Sequence, residues 1–336
     1  MPSLRSAALL AMTAALLLPS AAKPAETERM IRVGIIGLDT SHVTAFTSVL
    51  NNPEAAGDLA GVKVVAGFPG GSPDLPDSRN RVEKFTSELR DKYGVEIVDS
   101  IEALLPNVDA VLLESVDGRP HLEQAKPVIA AKKPLFIDKP VAGSLADAIE
   151  IFRLARENGV PCFSSSSLRF SPGIAGMGHN EQIGDVLGCD AFSPCSLEPH
   201  HPDLFWYGIH GVEALFTIMG PGCVTVTRVQ TQNTELVTGV WRDGRIGTYR
   251  GLRSGKPEYG AIVFGSKSNG PSGGYGGYEP LLVEIAKFFK TGKPPVSADE
   301  TIEIMAFMEA ADESKRQGGR PVTIESVMNG AKGATR

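Results

Sequence analysis

The stretch Arg32-Val33-Gly34-Ile35-Ile36-Gly37-Leu38-Asp39-Thr40-Ser41-His42 decides the reading of this chain. Apolar residues run into a glycine and then into hydroxyl side chains, the pattern of a buried strand delivered through a tight turn to the start of a helix. Such a turn suits a phosphate, because bare backbone lets the anion approach and the first N–H groups of the helix point at it. Glycine at three positions of a G-x-G-x-x-G turn serves that approach. Here Gly37 holds the first position, whereas Asp39 and His42 stand at the second and third. At about 4 Å and an effective dielectric near 20, two like charges repel by up to about 4 kcal/mol, or about a thousandfold in affinity. The other local reading has Asp39, Thr40 or Ser41 capping the helix and accepting the N–H groups a phosphate would take.

Outward from this turn, strand-length apolar runs alternate with helical segments. Strands are expected at Ile31–Ile36, Val62–Phe68, Glu96–Val98, Ala110–Leu113, Leu135–Ile137 and Cys162–Ser164. That alternation predicts a doubly wound parallel sheet over residues 30–166. The helix Leu145–Asn158 has Ser144 as its N-cap and Gly159 just past its end. The second strand ends Val65-Ala66-Gly67-Phe68-Pro69, without the acid that holds ribose hydroxyls in NAD-binding domains. Ser72, Arg79 and Arg81 are the nearby groups for a 2′-phosphate.

After Ser166 the texture becomes β-rich, with Val224–Gln230, Leu236–Trp241 and Ala261–Phe264 between glycine turns, and helices at Tyr207–Met219, Glu279–Lys290 and Glu300–Gln317. Residues 167–327 therefore read as a second α/β domain with a mostly antiparallel, open sheet. The tract Asn269 to Tyr278 reads as a glycine-rich surface loop whose Tyr275 or Tyr278 could close over a site.

With 336 residues and 42% hydrophobic composition the chain can bury two cores, and a net charge of −6 without a basic cluster excludes a nucleic-acid partner. At the N-terminus, Arg5, an apolar run from Ala7 to Leu18 and small residues before Ala22 predict a secretory signal over residues 1–22. The run is shorter than the roughly 20 residues that span a bilayer, so no membrane anchor is expected after cleavage. A single arginine precedes it, which points to general secretion of an unfolded chain into the periplasm or medium. Four cysteines do not make a disulfide scaffold; buried thiols are the default, with Cys189 and Cys195 near enough to pair if the chain bends at Pro194. No metal is expected, since there is no CxxC. His200, His201, Asp203, His210 and Glu213 are of ligand type, but their spacing matches no established motif, and polar residues lining a cleft explain them as well.

The segment Lys133-Pro134-Leu135-Phe136-Ile137-Asp138-Lys139-Pro140, taken with the turn at Gly37 and the strand-loop Asp109 to His121, resembles the Gfo/Idh/MocA oxidoreductases. In that family a GKHVLxEKP stretch ends a sheet strand, and Asp138 is one methylene shorter than its glutamate. Glu181-Gln182-Ile183-Gly184-Asp185-Val186, Gly208-Ile209-His210 and Ser297-Ala298-Asp299-Glu300 also fit, so the resemblance covers about residues 30–327.

It implies a Rossmann-type domain binding NAD or NADP and a second domain whose sheet makes homo-oligomers, with a sugar- or cyclitol-like alcohol oxidised or reduced in the cleft between. Lys139 and His210 match the family's catalytic lysine and histidine. A cation at a strand end can stabilise charge on a substrate oxygen, and a neutral imidazole suits the hydroxyl proton. The acid that lies four residues before the histidine in many relatives is Trp206 here. Asp138, His201, Tyr207 and Glu213 are the expected substrate contacts; Gly37, Asp39, Thr40, Ser41, Ser115, His121 and Asp138 are the expected cofactor contacts. The alternative is a non-redox, exported carbohydrate-binding descendant with a degenerate nucleotide loop.

Overall fold

The computed structural model describes residues 30–334, and the expected signal segment lies outside them. Six parallel strands, β1 Ile31–Ile36, β2 Val62–Phe68, β3 Glu96–Ile97, β4 Ala110–Leu113, β5 Leu135–Ile137 and β6 Cys162–Ser164, form one sheet in the order β3-β2-β1-β4-β5-β6. This is the doubly wound order in which the strand order reverses between β1 and β4, leaving a crevice at their carboxyl ends. The central strands are continuous apolar runs because helices cover both faces; all four residues of β4 are buried. The first sheet's helices are α1 Ser41–Leu50, α2 Pro76–Arg79, α3 Val82–Tyr93, α4 Ile101–Leu104, α5 His121–Ala130 and α6 Leu145–Glu157. Ser144 caps α6 by accepting the Asp147 amide, as its sequence implies.

The second sheet holds β7 Val186–Pro194, β8 Cys223–Gln230, β9 Thr234–Trp241, β10 Ile246–Leu252, β11 Gly260–Gly265, β12 Asn269–Pro271 and β13 Val322–Thr323, in the order β12-β11-β7-β10-β9-β8-β13. Only β7 and β10 pair in parallel. The remaining helices are α7 Pro172–Ala175, α8 Ile209–Met219, α9 Glu279–Thr291, α10 Ala298–Arg316 and α11 Ile324–Ala334. Helix α8 lies close on this sheet because Gly211 has no side chain: a Cβ there would stand 2.2 Å from the Tyr249 ring.

Three features differ from the sequence expectation. The first turn of the expected Tyr207–Met219 helix is a π-turn over Leu204–Gly208, a widening common at functional sites. Helix α9 packs into the first sheet's core, where Leu281, Leu282, Ile285 and Phe288 meet Val33, Phe46 and Phe163. The segment after residue 166 thus returns to brace the first domain. The glycine-rich tract is no bland loop, for its first residues pair as β12 against β11. All four cysteines are free and buried, and among the described residues no helix is long and apolar enough to cross a membrane.

Candidate functional site

The carboxyl ends of β1, β4 and β5 deliver polar residues into one place. His42 stands in the first turn of α1, Glu114 directly follows β4, and Asp138 and Lys139 directly follow β5. The second domain faces them with Tyr207 from the π-turn, His210 from α8, Tyr259, and Tyr275 and Tyr278 from the glycine-rich tract. Between the domains His42, Lys139 and these second-domain residues, with Thr40, Ser41 and Ser167, line a cavity of about 270 Å³. Sites for drug-sized ligands run from roughly 300 to 1,000 Å³. The cavity therefore has room for a single sugar ring.

Lys139 and His210 both line this cavity, one from each domain. The Lys139 ammonium lies 5.6 Å from the centre of the Tyr207 ring, and that ring stands edge-on to His210 at 5.0 Å. His210 Nδ1 is 2.7 Å from the Ser166 hydroxyl, which fixes the ring and leaves Nε2 for the cavity. The orienting partner is thus a serine after β6, in place of the acid that Trp206 displaced. Burial, then the nearby Lys139 and His42, push the imidazole well below its usual pKa, so at neutral pH it is an uncharged proton acceptor.

On the other side of α1, Asp39 is fully buried. Its Oδ2 accepts from the Ser78 hydroxyl at 2.5 Å and its Oδ1 from the Val116 amide at 2.9 Å. The latch is braced: the Ser72 hydroxyl donates to Asp117 at 2.6 Å, and Arg119 joins Asp117 to Asp74. Gly37 permits this closure, since a Cβ there would lie 2.3 Å from Ser115 Oγ. The segment after β2 is therefore sewn across the crevice between β1 and β4. Burial raises the Asp39 pKa, an effect that its two donors only partly offset.

Residues 31–166 match the sequence model described as the oxidoreductase family with NAD-binding Rossmann fold, Gfo/Idh/MocA. Those residues are thus similar to the dinucleotide-binding domain of the Gfo/Idh/MocA family. No curated protein matches the sequence. Solved structures share the fold along most of the chain. A Thermotoga maritima protein titled "probable dehydrogenase" has a TM-score of 0.71 and 23% identity, covering 88% of this chain and 100% of that one. The scyllo-inositol dehydrogenase of Lactobacillus casei gives 0.72 and 13%, with 89% and 99% covered. The myo-inositol dehydrogenase of Lactobacillus casei, solved with NAD(H) and myo-inositol, gives 0.69 and 17%, with 88% and 96% covered.

The fold that residues 31–166 match is an NAD-binding Rossmann fold, and in this structure its phosphate turn carries a carboxylate. Asp39 stands in the turn before α1, where the fingerprint's second glycine would let a pyrophosphate approach, and Thr40 already accepts the His42 amide as N-cap. The residues offered for a 2′-phosphate are engaged within their own segment: Ser72 on Asp117, Arg79 on the Pro73 carbonyl, Arg81 on Asp77.

Other expected contacts lie elsewhere. His121 is buried behind the site, its ring nitrogens 3.2 Å from the Val141 carbonyl and 2.9 Å from that of Ser115, where it staples two loops. Ser115 Oγ donates to Gln124. His201 is buried with Nε2 3.0 Å from Asp117 Oδ1, so it braces the sewn segment and does not line the cavity. Asp138 sits beneath the cavity floor, its Oδ2 2.6 Å from His42 Nδ1.

Glu213, expected at the substrate, is turned into the core, where it accepts from Arg169 at 2.7 Å and from the Ser166 amide at 3.2 Å. Arg169 also pairs with Glu300 at 2.8 Å. Removing one partner of a buried pair strands the other, so Glu213→Ala is expected to lower unfolding free energy by about 3–5 kcal/mol in urea titration. A change below about 1 kcal/mol would contradict this structural role. The grouping His200, His201, Asp203, His210 and Glu213 does not assemble: His200 is on Glu198, and Asp203 is on Arg228 and Lys315.

Sequence reasoning missed two groups. Ser166 lies in a run of four serines with nothing to mark one of them as the histidine's partner. Glu114 carries no motif or spacing signal, yet it is completely buried, and neither carboxylate oxygen has a hydrogen-bond partner. Burial first, and the neighbouring Asp138 next, drive its pKa well above the usual carboxylate value. Burial would raise Asp138 as well, but the His42 ring and Lys139 outweigh it and hold that carboxyl low.

Proposed function

We propose that this chain is an oxidoreductase of the Gfo/Idh/MocA type, acting on a sugar- or cyclitol-like alcohol in the cavity between Lys139 and His210. The observation that carries the reading is the meeting of these two side chains, one from each domain, on a single cavity of about 270 Å³. There the ammonium donates to a substrate oxygen and stabilises negative charge on it, and the neutral imidazole takes the hydroxyl proton. Tyrosine ring faces and hydroxyls suit a small ring with both C–H faces and polar edges. NAD or NADP is the cofactor class of this reading, and either enters only when both Asp39 hydrogen bonds break. Export by the N-terminal segment and assembly through the second sheet belong to the same proposal. That sheet exposes Leu187, Val229, Ile246 and Ile262, an apolar face consistent with a second copy.

Asp39 favours a second reading, in which the same cavity binds a sugar-derived ligand without redox chemistry. Incubating the exported form with a panel of sugars and cyclitols and each of NAD, NADH, NADP and NADPH separates the two. Dinucleotide-dependent turnover of one panel member is expected. Ligand binding without turnover, together with no dinucleotide binding at millimolar concentration, would overturn the first reading and leave the second.

A further inference from the structure

We propose that His42, Glu114 and Asp138 form a binding site for one divalent transition-metal cation at the floor of the cavity. The three residues are far apart in the chain, but each stands at the carboxyl end of one of three adjacent parallel strands, the place where this sheet type collects ligands. One donor atom from each lies within 4.8 Å of the other two. His42 Nδ1 is 2.6 Å from Asp138 Oδ2 and 3.9 Å from Glu114 Oε2. Ligand atoms about 2.0–2.2 Å from zinc stand roughly 3.4 Å apart in a tetrahedron, so small side-chain rotations open the short distance and close the long one.

Glu114 is the observation that calls for a ligand. It is fully buried and aimed into the cluster, and neither oxygen receives a hydrogen bond. A buried carboxylate is found paired, hydrogen-bonded or on a metal. It lies beside a second carboxylate, Asp138, and the His42 imidazole, and the Lys139 ammonium acts on it through space without hydrogen-bonding it. A dipositive ion would satisfy both acids at once.

The donor set of one imidazole and two carboxylates favours zinc, manganese or iron over magnesium or calcium, which take oxygen ligands. The His42 ring is held for such a role, stacked on Phe46 at 5.3 Å and edge-on to Tyr278 at 4.8 Å. Its side chain is 13% exposed, so the cluster opens to the cavity and leaves coordination positions for water or for a ligand hydroxyl. The site is independent of whether the cavity performs redox chemistry.

Equilibrium dialysis of the chelator-treated, tag-free chain against Zn²⁺, Mn²⁺ or Co²⁺, with elemental analysis, tests the site. About one ion per chain at micromolar affinity or tighter is expected, weakened at least about a hundredfold in Glu114→Gln and in Asp138→Asn. Absence of stoichiometric binding, or wild-type affinity in both variants, would overturn the proposal. If the variants do not fold, ¹⁵N-imidazole spectra of the wild type decide it: the His42 Nδ1 signal moves on adding Zn²⁺ if the site exists, and an unmoved signal rules it out.

Discussion

Replacing Asp39 with glycine is expected to tighten nicotinamide dinucleotide binding by about ten- to a thousandfold. The upper figure is the full like-charge repulsion between the carboxylate and a pyrophosphate, about 4 kcal/mol at 4 Å and an effective dielectric near 20. The lower one reflects burial, which raises the Asp39 pKa and so reduces the charge present at neutral pH. Glycine also removes the side chain that joins Ser78 to Val116, releasing the segment after β2 from the crevice. Asp39→Asn keeps the shape and the acceptor for Val116 but not the charge, so its smaller gain separates repulsion from occlusion. Titration by tryptophan or NADH fluorescence reads both. Equal affinity in wild type and Asp39→Gly would show that the latch does not oppose the cofactor.

The second large effect concerns the pair across the cavity. Lys139→Ala and His210→Ala are each expected to lower turnover of the accepted substrate by about 10²–10⁴-fold, the span typical of a lost general acid or base or of a lost charge-stabilising group. Ser166→Ala should cost less and act mainly on kcat, because Ser166 positions the His210 ring without touching substrate. The sign of the pH dependence follows from burial. The His210 pKa is depressed, so the ring stays neutral as pH falls through about 6.5, the value of a free imidazole, and its activity limb lies below that value. By the same linkage its contribution to stability is present above about 6.5 and is lost as pH falls, because the unfolded chain then takes up a proton that the folded one refuses. A rate that halves between pH 7.5 and pH 6.5 in wild type but not in His210→Ala would place the imidazole in a more solvated setting.

The first sheet was legible almost to the residue because buried parallel strands are unbroken apolar runs and Thr40, Ser100 and Ser144 cap the starts of α1, α4 and α6; only Val98 falls outside β3. Lys139 and His210, which line one cavity, could be picked out because each sits in a local pattern. What escaped depends on contacts between distant segments. Asp39 reads from sequence as a misplaced charge, and only the fold shows the Ser78 hydroxyl and Val116 amide that hold it. Glu213 lies one helical turn from His210, a spacing compatible with a shared face, yet Arg169 draws it into the core. Helix α9 has an ordinary amphipathic pattern that cannot say which domain it braces. Glu114 has no spacing signal at all, since His42 and Asp138 come from other strand ends.

A crystal structure of the protein grown with a saturating cyclitol or sugar tests the role of the cavity most directly. One ring hydroxyl within hydrogen-bond reach of both the Lys139 ammonium and His210 Nε2 is the expected result. A ligand bound elsewhere while this cavity holds only water would contradict it.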